Sequence, residues 1–212
     1  TPLTVIRGFT EAILDGTVES QDKIMRYTRL VCDESIRLER LIHSLLDLSK
    51  LQSASANCPL ELVDMADVVE HVQQLILPLA ASKPLTLRTE IPQGLPMILG
   101  NRDRLIQLLL IFLDNAVKYT HAGGTATLSL SKKETGALRC AIQDTGVGIK
   151  AEDMPYIWER FYKADKSHQR TDGSTGLGLA IARQIIDLHH ATVAIASEAG
   201  KGTRIQLDFP PL

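Results

Sequence analysis

The sequence predicts an α+β protein in which a helical hairpin precedes an α/β sandwich. Three observations predict this fold class. Apolar residues recur every three or four positions near the start, a short polar segment follows, and helical and alternating patterns then share the rest of the 212-residue chain. With 44% hydrophobic and 23% charged residues, the composition is typical of a folded chain of one large or two small domains.

The first region is predicted to form two helices. In the second helix, apolar side chains form one broad stripe between Ile24 and Leu48, and charged residues fill the other side. The pair Asp15-Gly16 offers a stop for the first helix, and Ser20 can cap the second. A lone hairpin leaves apolar surface in water, so we expect a second copy to complete a dimeric four-helix bundle. Packing against the rest of the chain is the alternative.

The segment 53–59 is small and polar and ends in proline, which is typical of a linker. We therefore predict a hairpin domain at 1–52, a linker at 53–59 and a second domain at 60–212. The second domain is expected to hold three helices and about five strands. The helical patterns lie at roughly 65–82, 102–119 and 175–189, and the alternating patterns lie at 85–91, 126–131, 138–143, 193–195 and 205–209.

Charge and apolar run length argue against several classes of protein. Lys and Arg number 23 against 25 Asp and Glu, so we expect no nucleic-acid partner held by bulk electrostatics. No apolar run approaches the ~20 residues that span a bilayer, so no membrane contact is expected of this stretch, although a longer parent protein can be membrane-anchored elsewhere. The three cysteines lie far apart, which indicates neither a disulfide framework nor a zinc site and favours a cytoplasmic location.

A polar segment at 114–120 ends a helix that is otherwise rich in leucine and isoleucine. The amide oxygen of Asn115 is a neutral, hard ligand that can hold Mg²⁺ beside phosphate oxygens. Lys118, three residues on, shares its helix face and can reach the same phosphates. An ordinary polar helix end is the alternative.

A second segment, Asp144 to Gly148, directly follows an alternating strand. A carboxylate there can accept a hydrogen bond from a purine amino group, and Gly146 and Gly148 allow the backbone to approach a flat ring. A plain β-turn is the alternative.

Two further segments indicate phosphate binding. Aromatic residues cluster at 156–162 and precede a loop that carries Lys163, Lys166, His168 and Arg170, which favours a basic lid over an anion; a merely solvated loop is the alternative. A glycine-rich segment at 173–179 then leads into an apolar helix, where unpaired backbone N–H groups can bind phosphate. Its glycine spacing matches neither the dinucleotide-binding fingerprint nor the P-loop.

In this order the four segments resemble the N, G1, F and G2 boxes of the sensor histidine kinases of two-component systems. The ATP domain of that family has the Bergerat fold shared with gyrase, MutL and the 90-kilodalton heat-shock chaperones. The start of the chain, Thr1-Pro2-Leu3, resembles the end of the family's H box, usually written S-H-E-L-R-T-P-L. The resemblance therefore covers nearly the whole chain and implies an α/β sandwich of the Bergerat ATPase type behind the hairpin.

The resemblance implies a role for each matching position. Asn115 is expected to be the Mg²⁺ ligand, Lys118 a phosphate contact and Tyr119 a neighbour of the adenine. Asp144 is expected to read the adenine amino group, and Thr203 is expected to support the adenine through water. Gly146 and Gly148 are expected to shape the adenine pocket. The residues expected to border the triphosphate are Gly176, Leu177, Gly178, Arg160 and Lys163.

The family's phosphoacceptor histidine belongs four residues before Thr1, and none of the six histidines in the sequence fits the motif. We therefore expect this chain to bind ATP and Mg²⁺ without phosphorylating itself. The resemblance also gives Thr1 a part in the reverse, phosphatase direction.

Ile111 lies one helical turn before Asn115, where the ATP-hydrolysing Bergerat enzymes have a glutamate that activates water. Without a carboxylate there, direct hydrolysis lacks its general base. The sequence thus favours the cytoplasmic core of a homodimeric histidine kinase, which passes its phosphoryl group to an aspartate of a response-regulator receiver domain. A Bergerat ATPase of the gyrase, MutL or chaperone type, and a non-catalytic nucleotide-binding scaffold, stay open as alternatives.

Overall fold

The computed structural model describes residues 2–53, 58–81, 83–164 and 175–212. Within these ranges it holds five helices and seven strands. The helices are α1 (Pro2–Leu14), α2 (Gln21–Ser53), α3 (Met65–Ala81), α4 (Arg102–Tyr119) and α5 (Gly178–Leu188). The strands are β1 (Glu61–Val63), β2 (Thr86–Glu90), β3 (Ile98–Gly100), β4 (Thr125–Lys132), β5 (Leu138–Asp144), β6 (Thr192–Glu198) and β7 (Gly202–Phe209).

The hairpin predicted for the first region is confirmed. Helix α1 packs against α2, with the ring centroids of Phe9 and Tyr27 4.8 Å apart. The apolar stripe of α2 nevertheless stays largely in water, since Met25, Ile42 and Leu46 are all about half exposed. The hairpin therefore carries more apolar surface than its own two helices can cover.

The C-terminal end of α2 differs from the rest of the hairpin because it packs against α5. Leu48 and Leu51 are buried in the same core as the sandwich. Beside them, the Gln107 side-chain amide donates to the Asp47 carboxylate over 3.4 Å. The alternative named above, packing against the rest of the chain, is thus correct for the last turns of α2.

The sandwich is a five-stranded sheet covered on one face by helices. The strand order is β2-β4-β5-β7-β6; β2 runs parallel to β4, and the other neighbours are antiparallel. Alternate residues of β4 and β5, such as Leu128 and Ile142, are buried, as the sequence pattern predicts. They meet α4 and α5, whose Phe112 and Ile185 are almost completely buried. Three helices on a five-stranded sheet confirm the predicted sandwich.

Two local features differ from the sequence prediction. Strands β1 and β3 form a small antiparallel sheet that pairs Leu62 with Leu99, and three residues are too few to show an alternating pattern. Helix α5 begins at Gly178 instead of residue 175 because Gly176 has φ +72°, a left-handed conformation that a right-handed helix cannot include.

A buried histidine ties α5 to the start of α4. His189 accepts a hydrogen bond at Nε2 from the Asn101 amide over 3.0 Å, and its Nδ1 lies 2.7 Å from the Ile185 carbonyl oxygen. Because an amide N–H can only donate and a carbonyl can only accept, the ring is neutral with its proton on Nδ1. Burial lowers the pKa of His189, which keeps the ring in this neutral form.

Within the described parts of the chain, no helix is both long and apolar enough to cross a membrane.

Candidate functional site

The polar end of α4 forms one wall of the candidate site. Asn101 caps the start of the helix by accepting from the Arg104 amide over 3.1 Å. The apolar side of α4, on which Phe112 and Ala116 are buried, packs against the sheet. Asn115 lies at the margin of this side and is half-buried. Asn115 is therefore held on a rigid element with part of its surface accessible.

Lys118, one turn after Asp114, is paired with it. The Lys118 Nζ lies 2.7 Å from the Asp114 carboxylate, and both side chains are about one-third exposed. A phosphate that binds Lys118 would compete with Asp114 for the same ammonium group. The structure thus shows a partner for Lys118 that the sequence interpretation did not assign.

The C-terminal end of α4 is capped by a lysine from another element. Lys83 Nζ donates to the carbonyl oxygens of Val117 and Lys118 over 3.2 and 2.9 Å. A cation there offsets the partial negative charge of the helix end. Sequence reasoning missed Lys83 because it is 34 residues away from the nearer of these partners, so no local spacing marks it.

Asp144 stands at the end of β5 with one carboxylate oxygen already engaged. Its Oδ1 accepts from the Gly146 amide over 2.8 Å and from the Thr203 amide over 3.2 Å. Oδ2 receives no hydrogen bond from the residues that the structure describes. Burial raises the pKa of Asp144, and the two amide hydrogen bonds partly oppose the rise. The site therefore offers one oriented acceptor in a half-buried position.

Two glycines bring the backbone after β5 into close contact with its neighbours. A Cβ on Gly146 would collide with the carbonyl oxygen of Tyr119, and one on Gly148, which has φ +67°, would collide with that of Glu198. Between the glycines, the Val147 amide donates to the Tyr119 carbonyl over 3.0 Å. The loop after β5 is thus bonded to the end of α4, which brings Asp144 and Tyr119 to the same side of the sandwich.

The glycine-rich segment meets α4 one turn before Asn115. A Cβ on Gly178, the first residue of α5, would lie 3.4 Å from the Ile111 side chain. Leu177 is fully buried, and its amide donates to the Thr175 hydroxyl over 3.3 Å. The start of α5 and the end of α4 therefore form two adjacent walls.

The aromatic segment is joined to the same wall by its backbone. The Phe161 amide donates to the Gly176 carbonyl over 2.9 Å, and Phe161 has the rare φ of +65°. Next to it, the Tyr162 hydroxyl donates to Asp153 over 2.6 Å, which raises the pKa of Tyr162 to about 12. This packing fixes where the chain enters the predicted lid.

The predicted basic residues of this region are described only in part. Arg160 is exposed and Lys163 is half-buried. Lys166, His168 and Arg170 lie outside the described residues, as does Thr1.

Ser197 on β6 is a site residue that sequence reasoning missed. Its hydroxyl oxygen lies 2.7 Å from the Ile149 amide, 3.0 Å from the Gly202 carbonyl and 2.9 Å from the Thr203 hydroxyl. It thereby joins the loop after Asp144 to the β6–β7 turn. A serine in an alternating strand gives no sequence signal of such a position.

The site as a whole joins an acidic strand end, close-packed glycines, a polar helix end and a glycine-rich helix start. Together with the helices on one face of a mixed sheet, these parts define the nucleotide-binding class of Bergerat-type ATPases.

Comparison with known families agrees with this class. The model described as "Histidine kinase-, DNA gyrase B-, and HSP90-like ATPase" matches residues 100–212, more than half of the chain. A second model, "His Kinase A (phospho-acceptor) domain", matches residues 1–54. The chain belongs to this ATPase family and, within it, to the sensor histidine kinases of two-component systems.

Individual relatives match along nearly the whole chain. The sensor histidine kinase YclK of Bacillus subtilis is 34% identical over 99% of this chain and 44% of its own length. The sensor protein SrrB of Staphylococcus aureus is 31% identical over 99% of this chain and 36% of its own length. The chain therefore spans less than half the length of these curated relatives.

Solved structures share the fold. The Acinetobacter baumannii histidine kinase AdeS superposes with a TM-score of 0.73 at 24% identity, covering 99% of this chain and 95% of its own. Full-length ShkA in complex with AMPPNP superposes with a TM-score of 0.74 at 28% identity, covering 98% of this chain and 43% of its own.

Proposed function

We propose that this chain is the catalytic core of a sensor histidine kinase, which binds ATP and transfers its γ-phosphoryl group to the H-box histidine that belongs four residues before Thr1. The convergence of the four segments carries the proposal: the end of α4 is bonded to the loop after β5, Phe161 is bonded to Gly176, and the start of α5 packs on α4 at Ile111, one turn before Asn115. The ShkA neighbour, solved with AMPPNP, supports nucleotide binding at this fold.

Adenine recognition is assigned to the loop after β5. The second carboxylate oxygen of Asp144 accepts a hydrogen bond from the exocyclic amino group, because a carboxylate is an acceptor only. Gly146 and Gly148 let the backbone approach the ring, and Tyr119, which is 44% exposed, offers an aromatic side chain next to it. Thr203 and Asp144 act together, since the Thr203 amide orients the carboxylate.

The triphosphate is assigned to the start of α5, between Gly176 and Gly178. The N–H groups of the first turn of α5 and the positive end of the helix favour an anion there. Arg160 lies within the aromatic segment and Lys163 directly follows it, and we place both cations near the distal end of the triphosphate.

The described donor set fits a Mg²⁺ ion that is carried mainly by the nucleotide. Among the described residues no group of three His, Cys, Asp or Glu side chains can hold a metal, so Asn115 would be a single protein ligand beside phosphate and water. When bound, Mg²⁺ neutralises charge on the phosphate oxygens. Asn115 serves this arrangement because its amide oxygen adds no negative charge.

The lack of a general base at Ile111 favours transfer to an imidazole over hydrolysis. The histidine nitrogen attacks the γ-phosphorus, a nitrogen–phosphorus bond forms, the bond to the bridging oxygen of ADP breaks, and the imidazole proton leaves to solvent. The phosphoryl group then passes to an aspartate of a receiver domain. In the phosphatase direction, Thr1 would orient the water that attacks the aspartyl phosphate.

The proposed assembly is a homodimer formed through the hairpin, in the cytoplasm. The half-exposed stripe of Met25, Ile42 and Leu46 supports this, because soluble chains rarely leave such a surface uncovered. We propose no nucleic-acid partner, in keeping with the net charge of −2.

The test lengthens the chain at its N-terminus by a helical segment ending Ser-His-Glu-Leu-Arg, which completes the H-box pattern. Incubation with ATP labelled in the γ-phosphoryl group should give an acid-labile phosphohistidine. Asn115→Asp should lower labelling by at least about tenfold, because a carboxylate repels the triphosphate. Gln74→Glu makes the same amide-to-acid change on the exposed side of α3 and should leave labelling unchanged.

Equal labelling by both variants would contradict the role of Asn115. Steady-state ATP hydrolysis without phosphohistidine would favour a gyrase-like ATPase, and ATP binding without either reaction would favour a nucleotide-binding scaffold.

A further inference from the structure

The hydrogen-bond partners of Ser197 determine where its hydroxyl proton points. A serine hydroxyl has one proton and two lone pairs. The Gly202 carbonyl, 3.0 Å away, can only accept, and the Ile149 amide, 2.7 Å away, can only donate. Ser197 therefore gives its proton to Gly202 and receives one from Ile149.

The third contact of Ser197 fixes the Thr203 hydroxyl in turn. These oxygens lie 2.9 Å apart, and either could be the donor if the pair stood alone. Because the Ser197 proton is already committed to Gly202, Thr203 must donate to Ser197. The Thr203 oxygen keeps only lone pairs for any further partner, so it is an acceptor toward a ligand.

Thr203 lies next to Asp144, the residue that is proposed to recognise the base. Its amide donates to Asp144 Oδ1, and Gly202 packs so closely that a Cβ there would collide with the Asp144 carbonyl oxygen. A base bound as proposed therefore faces two acceptors there: the second carboxylate oxygen of Asp144 and, directly or through a water, the hydroxyl oxygen of Thr203. Adenine presents an amino donor at the six position, whereas guanine presents a carbonyl acceptor there.

We infer that Ser197 is a positioning residue for base specificity: by holding the Thr203 proton, it makes the site reject guanine nucleotides in favour of adenine nucleotides. The inference rests on the proposed ATP site and adds to it the residue that sets hydrogen-bond polarity. Ser197 acts only through Thr203. If Ser197 is removed, the Thr203 hydroxyl can rotate and donate to a guanine carbonyl.

The experiment measures the dissociation constants of AMPPNP and GMPPNP for the 212-residue chain by titration calorimetry. Ser197→Ala should lower the preference for AMPPNP over GMPPNP by about tenfold, the effect of exchanging one mismatched hydrogen bond for a matched one. Ser197→Thr keeps the hydroxyl and should keep the preference. Ser129→Ala, a half-buried serine on β4 of the same sheet, is the control and should change neither constant.

A double-variant cycle separates positioning from general support of the fold. In a Thr203→Val background there is no hydroxyl to direct, so adding Ser197→Ala should leave the preference unchanged. A loss of binding that is equal for both nucleotides, or a shift of preference that persists in the Thr203→Val background, would overturn the inference. If Ser197→Ala does not fold, Ser197→Cys replaces it, since a thiol is a much weaker donor and acceptor.

The two proposals fail in different ways. Absence of AMPPNP binding by the unaltered chain would overturn the proposed function and this inference with it. Tight AMPPNP binding with a preference that Ser197→Ala does not move would overturn the inference alone.

Discussion

The hairpin and the sandwich differ in how each covers its apolar residues. In the sandwich, Leu105, Leu109 and Phe112 of α4 are at most 1% exposed. In α1 no residue is buried, and Leu14 is 78% exposed. One chain is thus sufficient to build the sandwich core, whereas the hairpin needs a further surface to complete its own. The difference indicates that the sandwich is complete within one chain, whereas the hairpin leaves apolar surface for a further contact.

The largest expected effect tests the sandwich core. Phe112→Ala should lower the free energy of unfolding by about 3–5 kcal/mol, because it opens a cavity in a fully packed region. The measurement is urea unfolding followed by the fluorescence of Trp158, the single tryptophan, which packs against this core. Phe9→Ala in the hairpin should move that transition by less than about 1 kcal/mol. Equal losses would mean that the Phe9 contact supports the sandwich as strongly as a residue of its own core does.

The next effect concerns assembly. Leu46→Glu should weaken the proposed dimer by at least about a hundredfold, since it places a charge in the apolar stripe. Sedimentation equilibrium should then show a mass near 23.3 kDa. Leu99→Glu is the matched control, because Leu99 on the small sheet is 51% exposed, as Leu46 is. If both variants leave the dimer intact, or the unaltered chain is monomeric at high concentration, the stripe is not the interface.

A third, smaller effect examines the place where the two regions meet. Leu48→Ala should destabilise the sandwich by about 2 kcal/mol, because Leu48 is 3% exposed and belongs to its core. Leu45→Ala, a residue that is 43% exposed on the same helix, should have little effect on the Trp158 transition. Matching small shifts would show that the end of α2 does not support the sandwich in solution.

The smallest expected effect is a pH dependence of the stability of the sandwich, which His189 causes. The pKa of His189 is lowered in the folded state from 6.5, so the unfolded chain binds the extra proton more readily. Its stability contribution is therefore complete above about pH 6.5 and is lost progressively as the pH falls below that value. His189→Gln should remove this part of the pH profile.

The neighbouring histidine provides the control for that profile. His190 is exposed and has φ +51°, a conformation that asparagine tolerates. Because its charge is the smallest of the causes that lower the pKa of His189, His190→Asn should leave most of the slope in place. Identical profiles for the unaltered chain and His189→Gln would contradict the assignment of a neutral, buried ring.

Much of the fold could be predicted because its longer helices and strands have periodic patterns of apolar residues. Strands β4 and β5 alternate over seven or eight residues, and α4 carries a long apolar face, so their bounds are predicted almost to the residue. Strands β1 and β3 have three residues each and depend on pairing with one another, which no local pattern records. The predicted domain bounds at 1–52 and 60–212 stay a prediction.

The candidate site was predictable where one segment carries its own chemistry. Asp144 and its glycines follow each other along the chain, so their pattern is visible. Ser197 and Lys83 act on partners in other elements, and their residue types are common on any surface. Their roles arise only when the sheet order brings β6, β7 and the loop after β5 together, which is tertiary information.

The position of β7 in the sheet also has a consequence for how the chain folds. It is the last described strand along the chain, yet it lies between β5 and β6 in the sheet. It pairs Phe209 with Leu138, which is 71 positions earlier in the sequence. Pairing over such a separation is slow, whereas helix contacts in the hairpin are local and fast. During synthesis, α1 and α2 can therefore form early. The sheet can be completed only after β7 has left the ribosome, because β7 joins β6 to the rest of the sheet.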